Sequence, residues 1–458
     1  MESTAAIKDL RVKVNDKQIL SIALPITLAI LIPQINMLTN SIFLGGLGTD
    51  ALGDAGVTGV FYLIFAVIGN GMNNALQSVF SKYAGVGDPG AFKIIFAQGL
   101  RICMQLAIAG ILVTWFIAPL IFQQVSDPTS YPQEISFLKI RILGLPFLYF
   151  FQLCNAFLVA SLNSKYLMIG FISQSVVNIV LDYGFIYGHL GLPKMGFDGA
   201  AVASVISEVV GLIVVLIVLW VTQLKKQFGL FSTNRYDRII TKEILNISAP
   251  LVLQYFISVT TWLVFFILIE ARHDKIAKAI SNTMRNFFGL IGVFVWAFAG
   301  TCNTMVSNLM GQKREDLVLK AISRIMMWSV FFCFLMCLFI NIFPGTFFQI
   351  FGQNEDFVRQ GIPVIRIVSL GLMFMSVANV WLNGVTGTAK TRMNLLIEII
   401  AITVYLVYTW YFMKINYVSL AMAWSNELVY WTTIFLISFA YLKSGRWKPP
   451  HIKNAVSS

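Results

Sequence analysis

Charge is what this sequence has least of. Asp, Glu, Lys and Arg make up 12% of its 458 residues, where a soluble globular chain carries about a quarter, so water is not the main solvent for most of it. Histidine is scarcer still: His189, His273 and His451 are the three, all at the ends of apolar runs or in a tail. There is no HExxH, no GxSxG and no paired-aspartate motif, which removes the catalytic constellation that a membrane-embedded lipid enzyme needs. The five cysteines, Cys103, Cys154, Cys302, Cys333 and Cys337, lie inside apolar runs without metal-ligand spacing or a paired framework. They read as core thiols, and no cofactor is expected. A formal charge of +12 raises the question of nucleic acid, but no basic helix or RNA-type aromatic motif is present, and Lys and Arg sit in short segments between apolar runs. No gap between those runs is long enough for a soluble domain.

What is abundant is hydrocarbon, at 57% of residues. A bilayer core about 30 Å thick needs roughly 20 apolar residues per helix, and twelve such runs begin near Ile19, Val57, Phe92, Phe137, Tyr166, Gly199, Ile244, Ile276, Ala321, Gly361, Met393 and Tyr417. The expected fold is an all-α integral membrane protein. The first run is too long for the apolar core of a signal peptide and counts as a helix. Basic residues mark the cytoplasmic loops of such proteins. Alternate loops here are unequal: Lys82, Lys165, Lys225, Lys226, Arg235, Lys313, Arg314, Lys390 and Arg392 fall on one side, with both ends of the chain. The other side holds few, among them Lys139, Arg141 and Lys194, with acids such as Asp127 and Asp356. Both termini are expected in the cytoplasm.

The chain repeats itself. ILSIALPITL at 19–28 returns as ILNISAPLVL at 244–253, aligning Pro25 with Pro250, and Asn155, Leu158, Ser81 and Gly85 recur as Asn379, Leu382, Ser307 and Gly311. The expected organisation is an N-lobe of six helices over 1–223, a cytoplasmic inter-lobe loop over 224–242 and a C-lobe of six helices with a short tail over 243–458. Two parallel, pseudo-symmetric six-helix lobes of this kind place a substrate cavity between them, opened alternately to either side as one bundle rocks against the other.

Polar side chains inside hydrocarbon are costly, so each is a functional candidate, although amides also serve simply to tie helices together. The densest set is in the first half: Gln34, Asn36 and Asn40 in the first run, Asn73, Asn74 and Gln77 in the second, Asn155 in the fourth, and Gln174, Asn178 and Asp182 in the fifth. Asn178 and Asp182, four apart, share one helix face. A carboxylate beside an amide can hold a sodium ion or a proton. Glu208 and Glu427 fall near mid-membrane, and Glu398 about two turns inside the eleventh run. Arg285, three turns into the eighth, needs a counter-ion, for which Glu427 is a candidate; lining the cavity instead, it would attract acidic substrates. Trp262, Trp296, Trp381 and Trp424 are candidates for an adaptable apolar pocket. The candidate cavity set is Gln34, Asn36, Asn73, Arg285, Glu427 and Trp381.

Several of these stretches resemble a known family. Pro25 to Gly48 on the first helix, NIVLDYGFI at 178–186, GFDGAAVASVIS at 196–207, GTCNTMVSNLMGQ at 300–312 and NGVTGTAKT at 383–391 are similar in order and spacing to the multidrug and toxic compound extrusion (MATE) transporters of the MOP flippase superfamily. The resemblance covers roughly residues 15–440. It implies a V of two six-helix lobes in a prokaryotic cytoplasmic membrane, a monomer among lipids, exporting small amphipathic organic compounds by antiport against sodium ions or protons. It also implies a cation site at Asp182 and Asn178, with Ser204 where the family usually has Thr, and with Asn40 and Asn155 nearby. Where the family has Asp on the first helix this chain has Asn40, and where some branches have an acid on the seventh it has Ser258. Asp182 is left as the main coupling group. A lipid-linked oligosaccharide flippase of the same superfamily is the alternative; it would need several cationic residues in its cavity, and Arg285 is the clear one.

Overall fold

The computed structural model describes residues 9–272, 275–349, 355–412 and 419–449. The expected start of the last run, near Tyr417, and His273 and His451 lie outside these. Helices account for nearly all of the described residues, and no strand is among them. In hydrocarbon this is forced, because a helix satisfies its own backbone polar groups. The long helices are α1 (Asp16–Gly45), α2 (Thr49–Val86), α3 (Ala91–Phe116), α4 (Tyr131–Arg141 continued through a 3-10 turn into Leu145–Ala160), α5 (Leu167–Tyr187), α6 (Phe197–Val221), α7 (Arg238–Arg272), α8 (Lys275–Gly311), α9 (Val318–Ile342), α10 (Glu355–Gly387), α11 (Thr391–Trp410) and α12 (Asn426–Lys443). Eleven of these segments are long and apolar enough to cross a membrane. The twelfth, α12, opens on the buried polar pair Asn426 and Glu427, which dilutes an otherwise apolar stretch.

One helix begins earlier than its apolar run does. α4 starts at Tyr131, with Pro132 in its first turn, where a proline's missing N–H costs nothing. Arg141, read from the sequence as part of an outer loop, therefore lies inside the helix, one residue before the 3-10 turn Ile142–Gly144. Its expected position in a loop is thereby corrected to a place within the bundle.

The described chain forms two compact units, one over Leu28–Val252 and the other over Arg11–Thr27 with the described residues from Leu253 onward. The divisions fall two residues beyond Pro25 and Pro250, inside α1 and α7. Hydrogen bonds explain which unit takes the opening turns of each helix. In the second unit, Asn308 accepts from the Val12 N–H at 3.0 Å, Gln312 donates to the Val12 carbonyl at 3.0 Å and Arg324 donates to the Val14 carbonyl at 3.1 Å. Arg324 also pairs with Asp16 at 3.0 Å. In the first unit, Gln98 donates to the Arg235 carbonyl at 2.8 Å, Arg101 donates to that of Asn234, and Thr241 donates to Gln98 at 3.2 Å. Arg101 and Arg324 thus hold the chain ahead of α7 and α1. The 224–242 segment is packed as well: Phe228 meets Phe92 at 4.9 Å between ring centroids, and Phe231 meets Phe96 at 5.0 Å.

Candidate functional site

The site in the first unit is built where α5 meets α1. Along α5 the exposed positions are Ile169, Ile172, Val176, Val180 and Tyr183, an apolar stripe. Gly170, Ser175, Asn178, Asp182 and Ile186 are buried on the other side. A helix rotates 100° per residue, so Asn178 and Asp182 stack on the inner face one turn apart. α1 runs alongside in matching register. Asn36 Nδ2 donates to Asn178 Oδ1 at 2.6 Å. Further along, Tyr187 Oη donates to the Phe43 carbonyl at 2.7 Å and its ring stands edge-on to Phe43 at 6.1 Å. One turn on from the Asn36–Asn178 contact, this register puts Asn40 level with Asp182.

Asp182 is fully buried, and neither of its carboxylate oxygens has a hydrogen-bond partner among the described residues. The same holds for Oδ1 of Asn36, Oδ1 of Asn40 and Nδ2 of Asn178, and for Oδ1 of Asn73 on α2. Buried polar atoms are almost always paired, and acceptors left without donors call for an ion or a water; the Asn178 amide nitrogen is the one donor among these atoms. An unpaired buried carboxylate is the most expensive of all. Asp182 therefore needs a cation or a proton. Asn155 on α4, Ser204 on α6 and Gln34 on α1 are half-buried in the same unit; the Ser204 carbonyl accepts from Ser207 Oγ at 2.8 Å.

An enclosed positive charge belongs to the same unit, but it is committed elsewhere: it is Arg141, at the end of the first part of α4. Its guanidinium is bound in fork geometry to Glu208 of α6, at 2.7 Å and 3.0 Å, and lies 3.9 Å over the ring of Tyr62. Tyr62 Oη donates to the same carboxylate at 3.3 Å. The pair is almost wholly enclosed, with side chains 14% and 3% exposed. Gly144 makes the room: a Cβ there would lie 1.9 Å from Glu208 Oε2 and 2.9 Å from Arg141 Nη1. Gly144→Ala is expected to push the two apart and to cost about 1–3 kcal/mol, the range for overpacking a close-packed interior; thermal unfolding of the detergent-solubilised protein measures it.

The residues expected to line a cavity divide between the two units. Gln34, Asn36 and Asn73 belong to the first, and Asn36 joins the Asp182 cluster. Arg285, Glu427 and Trp381 belong to the second. The ion pair considered between Arg285 and Glu427 is not formed. Glu427, at the buried start of α12, accepts from Trp262 Nε1 at 3.2 Å and from Trp431 Nε1 at 3.0 Å, while Arg285 is exposed and stands 5.8 Å from the ring of Phe266. Trp381 is a core residue: it is 4% exposed, donates to Met326 Sδ at 3.2 Å and packs on Phe435 and Phe439. Of the other tryptophans, Trp424 is fully buried with its indole on Ser281 at 3.2 Å.

Comparison with known proteins accounts for the repeat. The MatE family model matches the chain twice, over residues 25–184 and again over 250–411, well over half of its length. The chain belongs to the MatE family. Each match begins at one of the two aligned prolines. Membership of MatE sets it among multi-pass membrane transporters rather than enzymes. A relative in Thermotoga maritima, described as probable multidrug resistance protein NorM, is 23% identical, with 94% of this chain and 93% of that protein covered. Multidrug resistance protein MdtK of Klebsiella pneumoniae is 24% identical over 65% of this chain and 66% of its own. Solved structures share the fold. A MOP superfamily transporter of Pyrococcus furiosus, described as having a binding pocket of reversed polarity, superposes with a TM-score of 0.87 at 16% identity, covering 98% of this chain and all of that one. An outward-facing multidrug resistance MATE transporter superposes at 0.88, also at 16% identity, covering 97% and 100%. The expected fold class, an all-α bundle of twelve helices in two six-helix lobes, is the MatE fold.

Proposed function

We propose that this MatE protein is a secondary active exporter of small amphipathic organic compounds, driven by cation influx through the Asp182 site. The observation that carries the reading is the enclosed, partnerless carboxylate of Asp182 level with the unpartnered amide oxygens of α1. A single proton would serve one oxygen of such a group and leave the others bare, whereas sodium gathers several oxygen ligands, carboxylate and amide alike. The cluster therefore favours sodium as the coupling ion, with Asp182 supplying the charge and Asn36, Asn40 and Asn178 the neutral frame. Ion and substrate are both cargo. Occupation of the site stabilises one state of access and its release the other, so the sodium gradient does the work. The family's organic substrates, a monomeric state among membrane lipids, and a prokaryotic cytoplasmic membrane with both termini inside are part of the same reading, supported by the basic bias of the inner loops. The flippase alternative is weaker, because a pyrophosphate calls for several free cations, and with Arg141 neutralised by Glu208 Arg285 is left as the single candidate that the sequence named.

Proteoliposomes loaded with a fluorescent organic cation test it. Efflux that accelerates when sodium is raised on the side it enters from is the expected result. No gradient-dependent efflux across a varied panel of organic cations would turn the reading away from drug export.

A further inference from the structure

The second unit encloses a carboxylate for which the Asp182 site has no use. Glu398 lies two turns inside α11 and is 1% exposed. Its Oε1 accepts a hydrogen bond from Tyr430 Oη of α12, and its Oε2 accepts from Gln254 Nε2 of α7 at 3.3 Å. Ser258 Oγ, one turn along α7, is 3.2 Å from Tyr430 Oη. No Lys, Arg or His is among its hydrogen-bond or ion-pair partners in the described residues. The titratable groups around it are Tyr430 itself, Tyr405 on α11, whose ring is 5.7 Å from that of Tyr430, and Glu427, one turn before Tyr430 on α12. α7 presents only the neutral Gln254 and Ser258. The charged residues of α10, Glu355, Asp356, Arg359 and Arg366, are all exposed.

The chemistry of these partners differs from that around Glu427. Each oxygen of Glu427 takes an indole N–H, and an indole can only donate; neither indole can accept a proton's hydrogen bond. Around Glu398 every partner can work in both directions. Hydroxyls donate or accept by rotation, and an amide carries both functions. Gln254 Oε1 is buried without a partner among the described residues, so rotation of that amide offers an acceptor next to the carboxyl. With Glu398 ionised, Tyr430 and Gln254 donate to it and Ser258 supports Tyr430. With Glu398 protonated, its O–H is received by Gln254 while Tyr430 still donates. In both forms each oxygen of Glu398 keeps a hydrogen-bond partner, which a fixed structural carboxylate does not require.

We propose that Glu398 is a second coupling group, binding and releasing a proton within the Gln254, Ser258 and Tyr430 network; this rests on the exporter reading for its role in transport, though not for the chemistry. The step makes and breaks only an O–H bond: the carboxylate takes one proton from water at one stage of the cycle and returns it to water at another. Infrared difference spectra of the purified full-length protein across a pH titration test it directly, through the C=O stretch of protonated carboxyl groups. Glu398→Gln is expected to remove one titrating component and Glu427→Gln to leave that component in place. Tyr430→Phe keeps the carboxyl and removes its hydroxyl partner, and is expected to move the midpoint of that component. In proteoliposomes, the extra efflux gained when an inward proton gradient is added to the sodium gradient should fall about tenfold in Glu398→Gln, the size of a typical coupling factor. A titration unaltered in Glu398→Gln and Tyr430→Phe overturns the proposal. A wild type that shows the titration but transports nothing would overturn the exporter reading and leave Glu398 as a proton-binding group.

Discussion

Asp182→Asn is expected to abolish sodium-driven efflux while leaving a folded protein, about as stable as the wild type in sodium-free buffer or more so. The substitution keeps the side chain's size and one carbonyl oxygen but removes the charge. Burying a carboxylate without a partner costs far more than burying an amide, so the sodium-free fold stands to gain about 1–3 kcal/mol, the penalty of an unsatisfied buried group. Sodium reverses the comparison. At a hundred times its dissociation constant a ligand that binds only the folded state adds about 2.7 kcal/mol, which the wild type gains and Asp182→Asn does not. Thermal unfolding with and without sodium, beside efflux from the same preparations, separates this from misfolding. The loss in sodium-driven efflux should reach about 100-fold, near the upper end of measured coupling. An unchanged sodium response in the mutant would move the ion elsewhere in the protein.

Arg141→Ala is the second large effect, and it falls on stability. Removing one partner of an enclosed ion pair strands the other charge, at a cost of about 3–5 kcal/mol. Here the stranded group is Glu208, enclosed and left, among the described residues, with Tyr62 as its donor at 3.3 Å. Replacing both partners with apolar residues, as in Arg141→Met with Glu208→Leu, is expected to recover most of the loss, because the pair's desolvation nearly cancels its attraction. Thermal unfolding of the two variants checks this; equal loss in the double variant would mean that the pair specifies the packing of α4 against α6 rather than merely neutralising itself. The double variant also removes both charges of this pair, so its sodium affinity reports whether the pair matters to the Asp182 site.

How much of this was legible beforehand varies with the kind of interaction. Helices and their repeat are written in local pattern: apolar runs of membrane length, and Pro25 recurring as Pro250. The Asn178 and Asp182 face follows from four-residue spacing alone. Arg141 was hidden because hydropathy counts a charged residue as loop, whereas a paired one inside a bundle is tolerated; Pro132 in the first turn of α4 was the available signal. Partners across helices leave no such trace. Trp262 reaches Glu427, and Gln254 reaches Glu398, through the packing of α7, α11 and α12, and no spacing along the chain encodes which of several intramembrane residues will meet. The attractive pairing of Arg285 with Glu427 failed for that reason: charge complementarity named two residues, and packing supplied two indoles instead.

The most direct test of the central claim is uptake of radiolabelled sodium into proteoliposomes preloaded with a transported organic cation, compared between the wild type and Asp182→Asn. If Asp182 carries the coupling ion, substrate loading accelerates sodium entry in the wild type and has no effect in the mutant. Equal, substrate-dependent entry in both would contradict the account and place the sodium path outside the α1 and α5 cluster.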